Sequence, residues 1–282
     1  MANIRELDPS ASPLDYYGYE LRRHREAAGM TLAQLGSIVF CSGSLIGQIE
    51  TTLKVPTREF SERVDAGLGT DGTFSRLVGL VLRSQLPNWF QPYAEMESKA
   101  AYISSFQAQL VYGLLQTPAY ARAVLGARDE GNIDGKVAAR LDRQRILDRD
   151  EPPVMWVVLS EAVLHQEVGG REVMREQLAH ILAMQKRRWL EIQILPFGAG
   201  AHTGLMGSFN LLRFTNDPDI VYTEDFVQGH MTANPEAVKE GSVRYDHLQA
   251  AAFSVDDSAA LIARVMEERY GNQPEPDGRD LA

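Results

Sequence analysis

The stretch Thr31–Glu50, TLAQLGSIVFCSGSLIGQIE, places polar side chains where two short helices joined by a tight turn would display them. Helical spacing turns Ile46 and Ile49 inward, with Val39 across the turn from Ile46. Ser42, Gly43, Ser44, Gly47 and Gln48 are left on the outer face. A glutamine amide can donate to and accept from the major-groove edge of adenine, and a serine can bond either kind of partner. The chemistry on offer is hydrogen-bond reading of base edges, not bond making. Such a reader needs a bracing helix that approaches closely, and Gly36 supplies a small residue mid-helix for that approach. The pattern by itself also fits any helical hairpin inside an all-α domain.

Other groupings are weaker. His165 with Glu161 and Glu167, or His202 in GAGAHTG, could serve a metal or hydrolytic centre, but HExxH and Cys/His clusters are missing. The helix–strand–loop–strand order over 172–214 is loosely like half of a phospholipase D-like domain. Its His-x-Lys motif is absent, because Thr203 and Gly204 follow His202. Glu161, opening a helix after a buried strand, fits a charge that complements the helix dipole. Lys186, Arg187 and Arg188 read as the solvated C-terminal end of a helix. Cys41 reads as a small apolar residue beside the reader. The loops Gly113–Thr117 and Gly198–Gly207 could line a groove for a ligand or partner. No catalytic residues, metal ligands or cofactor are expected.

The elements that must position the reader follow from local signals. From Tyr16 to Arg83 the apolar pattern is helical in five short segments. The first is stopped by Gly29. The second starts at Thr31 with Gln34 three residues on, a capping-box spacing. The third is capped by Ser42, the fourth starts at Pro56-Thr57, and the fifth is assigned Asp71 as its cap. The prolines of QLPNWFQP (85–92) mark a boundary. Beyond it, 101–106 is open between helix and strand, with a strand preferred, and short β-rich runs (154–159, 191–195, 208–214 and 220–224) alternate with helical ones (117–125, 137–148, 172–184, 236–251 and 256–270). The expected fold class is therefore multidomain. An N-terminal all-α five-helix domain over 14–84 precedes a larger α+β domain over 85–270, built on a mixed sheet with covering helices. Residues 1–13 read as a flexible arm and 271–282 as a disordered tail.

Bulk properties agree. The 282 residues are 44% hydrophobic and 23% charged, which is ordinary globular composition. The chain lacks an apolar run of the ~20 residues a membrane span needs and a secretory pattern, so the expected location is cytoplasmic, without a membrane partner. One cysteine excludes an intramolecular disulfide. The net charge is −10, yet residues 1–83 hold nine Lys/Arg against ten Asp/Glu, which leaves −9 for 84–282. A nearly neutral reader should have weak sequence-independent affinity for nucleic acid.

Residues 9–68 resemble the XRE, or lambda-repressor-like, helix-turn-helix. The lead-in SPLDYYGYELRRHREAAGMT is similar to one branch. Further segments carry that likeness: YGLLQTPAYARAVL (112–125), AARLDRQRIL (138–147), VVLSEAVLHQEVGG (157–170), MREQLAHIL (174–182), ILPFGAGAHTGLMGSF (194–209) and LQAAAFSVDDSAALI (248–262). The branch is the actinobacterial WhiJ-like regulators, also described as Scr1-type antitoxin-like proteins, and the likeness spans about residues 9–268. It implies a developmental or antitoxin-like regulator, often paired with a small partner protein encoded nearby. It also implies base reading by Ser42, Gly43, Ser44 and Gln48, phosphate contacts near Thr31, Leu32, Thr51 and Arg58, and a structural pair of Arg25 with Glu50. The chain departs from the pattern at Phe40, where the turn usually holds glycine, so a bulky residue would face φ > 0. The reader helix lacks Lys and Arg, and Gly43 and Gly47 each lower its propensity by about 1 kcal/mol.

The resulting expectation is a homodimeric, repressor-type regulator of double-stranded DNA that binds a palindromic operator, with a second domain that mediates dimerisation and control. The alternative is an antitoxin-like protein that neutralises a small partner and binds DNA mainly in complex with it. A small-molecule sensor and an enzyme are further alternatives.

Overall fold

Orphan amides at helix starts decide where the first eighty residues fold. Ser12, Thr31, Ser42 and Thr57 each accept a backbone N–H from the residue three further on, which fixes four helix origins. The computed structural model describes residues 7–127 and 132–271. Among them the chain order is α1 (Pro13–Ala27), α2 (Leu32–Ile38), α3 (Gly43–Glu50), α4 (Arg58–Leu68), α5 (Thr73–Ser84), α6 (Gln91–Glu97), β1 (Tyr102–Gln107), α7 (Pro118–Gly126) and α8 (Ile133–Gln144). Then follow β2 (Val154–Ser160), α9 (Ala162–His165), α10 (Arg171–Met184), β3 (Leu190–Leu195), β4 (Phe209–Arg213), β5 (Ile220–Glu224), β6 (Gly229–Thr232), α11 (Pro235–Ala251) and α12 (Val255–Tyr270). Described residues within Met1–Asn88 and Glu130–Asp142 form one compact unit, and those within Trp89–Asp129 and Arg143–Ala282 form the other.

In the first unit α1 to α5 enclose a core of Tyr17, Leu21, Leu35, Val39, Ile46, Ile49, Phe60, Val64, Phe74 and Val78. The cap of α5 differs from expectation. Gly72 holds the cap position and Asp71 lies at φ +50°, while Asp65 on α4 accepts the N–H groups of Phe74 (2.9 Å) and Ser75 (2.8 Å). Burial alone would raise the Asp65 carboxyl. Hydrogen bonds from Ser75, Thr70 and the two amides nevertheless hold it below its ordinary value. Of the arm expected over 1–13, residues 1–6 lie outside the described residues. Leu7 is buried, its methyl close to Gly18, and Pro13 already opens α1. The tail expected over 271–282 lies outside the described residues beyond Gly271.

One segment crosses the boundary read from the sequence. Residues of α8 up to Asp142 pack with the first unit, where Ala138 joins the core. The second unit holds a mixed six-stranded sheet in the order β3-β2-β1-β4-β5-β6. β1, β2 and β3 run parallel (Tyr102↔Val154, Met155↔Leu190), and β4, β5 and β6 extend the sheet as an antiparallel meander (Ile103↔Leu212, Tyr222↔Met231). Phe106, Val158, Leu195, Phe209 and Leu211 form one apolar layer with Tyr245 and Leu248 of α11. Asn210, whose neighbours along β4 point to that layer, bonds Ser105 and Tyr93 of α6 instead. At the end of α6, Glu97 receives the buried Arg143 guanidinium through two bonds of 2.9 Å, and Phe90 stacks over the cation. Burial works to lower the Arg143 pKa, but Glu97 raises it above its ordinary value.

The two sheet edges are unlike. At β3, Ile194 accepts from the Phe253 amide and donates to Ser258 (both 2.9 Å), so the α11–α12 connection covers the edge. β6 lies largely exposed at the other edge, behind the protruding Phe226.

Candidate nucleic-acid interface

α2 opens with a complete capping box: Thr31 accepts the Gln34 amide at 3.2 Å, and the Gln34 side chain accepts the Thr31 amide at 2.8 Å. The chain then turns through 109° into α3, within the range of a helix-turn-helix. Two glycines permit the close approach. A Cβ on Gly36 would lie 2.7 Å from the Cys41 carbonyl, and one on Gly43 would lie 2.9 Å from the Ala33 amide. Between them Phe40 takes φ +57° and is 82% exposed, so the turn carries the left-handed strain expected of a bulky residue there. Val39 and Ile46, on either side of the turn, are both fully buried in the core. Cys41 packs at the margin of that core. Burial pushes its thiol pKa up, and nearby Arg63 works against the rise.

The outer face of α3 is polar. Ser42 and Ser44 are exposed, and Gln48, one turn after Ser44, is half-buried. Ser42 also caps α3 by accepting the Leu45 amide at 3.2 Å, which leaves its hydroxyl hydrogen to donate. Gly43 departs from the expected outward placement. Its Cβ direction meets the Ala33 backbone, so its glycine identity serves the contact between helices.

The phosphate candidates divide. Thr31 and Leu32 stand exposed at the start of α2. Thr51 is committed elsewhere: its amide donates to Gly47 at 3.0 Å, and its hydroxyl donates to the same carbonyl at 2.7 Å. A phosphate oxygen only accepts, so Thr51 has no donor left for it. Arg58 is also engaged. Its Nη2 donates to Asp142 at 3.0 Å, and its Nε pairs with the second oxygen of the same carboxylate. That carboxylate is the main cause of a raised Arg58 pKa. The contact lies 84 positions away in sequence, beyond any local signal.

Arg25 and Glu50 do meet. Arg25 Nε and Nη2 donate to the two carboxylate oxygens at 2.6 and 2.9 Å, and Nη1 donates to the Met30 carbonyl at 2.8 Å. The hydrogen bond to Glu50 leads in raising the Arg25 pKa. Arg22 is a further partner that the sequence reading missed. It lies 3.7 Å from the Glu50 carboxylate, and its place three residues before Arg25 on one helical face was the available sign. The pair ties α1 to the end of α3.

Among the rival groupings, His165 lies 3.5 Å from Glu161, whose other oxygen accepts the Phe197 amide at 2.8 Å. His202 caps a short turn by accepting the Gly204 amide at 3.2 Å. Among the described residues, no three His, Cys, Asp or Glu side chains are grouped to hold a metal. A groove of about 370 Å³ is lined by His165, Arg171, Val265, Glu268 and Arg269, and neither glycine-rich loop contributes to that lining. No single helix among the described residues is long and apolar enough to cross a membrane.

Comparison with known families matches residues 17–76 to a helix-turn-helix domain and residues 90–264 to a domain of unknown function (DUF5753). No curated protein and no solved structure matches the chain.

Proposed function

From a chain that belongs to the DUF5753 family and carries a DNA-binding type of domain ahead of the shared region, we propose a sequence-specific, repressor-type transcription regulator. It acts in the cytoplasm as a homodimer on a palindromic operator, without catalysis. The second domain supplies dimerisation and responds to a partner or effector. The observation that carries this reading is the polar outer face at α3, with Ser42 and Ser44 exposed and Gln48 half-buried, held at 109° to its bracing helix by two close-contact glycines. Likeness to the WhiJ-like regulators supports the same assignment.

Dimerisation is supported by charge and by surface. A reader helix without cations gains little from phosphates, and two linked readers convert the second half-site into an intramolecular event. In the second unit, the register of β4 and β5 brings Met206 (87% exposed) and Phe226 (94% exposed) to the same end of the sheet, beside the exposed β6. Contiguous exposed apolar patches mark association surfaces, and we read these two side chains as part of one. The same surface favours the second reading, in which it holds a small partner and DNA is bound through that complex.

Selection from a random duplex pool with the purified full chain tests the proposal, with its oligomeric state measured alongside. Enrichment of a two-fold symmetric site by a dimer supports it. Enrichment only after a partner protein is added transfers the assignment to the antitoxin-like reading.

A further inference from the structure

Residues 51–57 join the reader helix to α4, and Lys54 in this loop and Arg58 at the start of α4 are the cations nearest the reader in sequence. The loop folds back on the reader: the amides of Leu53 and Lys54 both donate to the Gln48 carbonyl, at 2.8 and 3.2 Å. Lys54 is thereby anchored at the end of the helix whose outer face carries Gln48. Cations flanking a helix in the major groove are among the groups that meet backbone phosphates.

Within the same compact unit, α8 covers this loop and the start of α4 at three points. Asp134 lies 4.0 Å from the Lys54 ammonium. Gly135 sits over Val55 so closely that a Cβ would come within 2.8 Å of its methyl and 2.7 Å of the Gln85 side-chain oxygen. Asp142 takes two of the Arg58 guanidinium nitrogens. The carboxylates at either end of α8 thus match the two cations, with a glycine at the contact near Lys54. Arg58 is only partly exposed and Lys54 about half, so both pairs remain open to exchange with solvent ions. Arg143, the next residue of α8, is held by Glu97 inside the second unit.

We propose that α8 is a built-in competitor for the DNA backbone, in which Asp142 and Asp134 occupy Arg58 and Lys54 where phosphates would bind. Full-strength binding then requires those carboxylates to give way, and the cations they release supply the phosphate contacts that α3 lacks. The inference rests on the reading of α3 as a DNA reader and specifies how that site is controlled.

The test is a salt titration of full-length protein on a fluorescent mixed-sequence DNA duplex, for wild type, Asp142→Asn and Asp142→Asn/Arg58→Gln, with thermal melts of each. Asp142→Asn should bind more tightly at low salt, by on the order of 3-fold per reader, and its plot of log affinity against log salt should steepen by about 0.9 per reader. Adding Arg58→Gln should return both values to those of wild type. Should Asp142→Asn melt early, Asp134→Asn at the half-exposed end of α8 should give the same change on a smaller scale. Unchanged slopes in folded variants that still bind DNA overturn the competitor and leave α8 a brace for the unit. Absence of binding by every protein at low salt overturns the DNA reading itself, and the competitor with it.

Discussion

Two arginine–carboxylate pairs in the first unit use the same bidentate chemistry in opposite circumstances. Arg25 and Glu50 lie 25 positions apart, with their side chains only 10% and 3% exposed. Arg58 and Asp142 lie 84 positions apart, with 30% and 18% exposed. Burial sets the consequence. A dehydrated pair must stay intact because either partner alone would be a stranded charge. A pair that water reaches contributes little, so an outside anion can replace one member at small cost. The first pair therefore fixes the reader on its scaffold, and the second is suited to exchange.

The largest effect should come from breaking the buried pair. Arg25→Ala leaves Glu50 with Arg22 as its remaining nearby cation and should destabilise the first unit by about 3 kcal/mol. Chemical denaturation checks this, and any loss of DNA binding should track unfolding. A normal melt combined with lost binding would instead make Arg25 a direct phosphate contact. Asp65 sharpens the comparison, as a carboxylate held by hydrogen bonds from hydroxyls and amides and not by an arginine. Its folded pKa lies below the ordinary carboxylate value, so its contribution is complete above that value and is lost as pH falls through the folded pKa. Melting temperatures followed from about pH 5 to pH 2 should fall further for wild type than for Asp65→Asn. Equal losses would remove Asp65 from the acid response. Smallest of all, Arg58→Ala should change stability by less than about 1 kcal/mol. A loss as large as that of Arg25→Ala would show that the outer pair is structural too.

What the sequence made legible was what it encodes locally. Thr31 with Gln34, Ser42 and Thr57 announced their helices because a cap needs only the next three residues. Gly36 marked a close approach because little else explains glycine inside a short helix. Signals failed where the partner came from elsewhere. Asp71 looked like a cap, but the carboxylate that serves α5 is Asp65 on the preceding helix. α6 was hidden because Pro92 resembles a boundary, although proline is tolerated in the first turn of a helix. β6, Gly229–Thr232, has no alternating apolar pattern and is defined by its register with β5. At the candidate interface the spacing that gathers Ser42, Ser44 and Gln48 was readable. The direction of Gly43, the commitment of Thr51 and the engagement of Arg58 depend on α2, the end of α3 and α8, which local pattern does not describe.

In the proposed assignment the outer face of α3 reads bases. Parallel selections from one random duplex pool, with full-length wild type and with Gln48→Ala, test it most directly. Wild type should return a two-fold symmetric motif with half-sites about 10 bp apart or a multiple of that. Gln48→Ala should fold normally, lose preference at one position in each half-site, and bind the wild-type motif about 1–3 kcal/mol more weakly per contact. Identical motifs and affinities from the two proteins would show that the outer face of α3 does not read bases through Gln48.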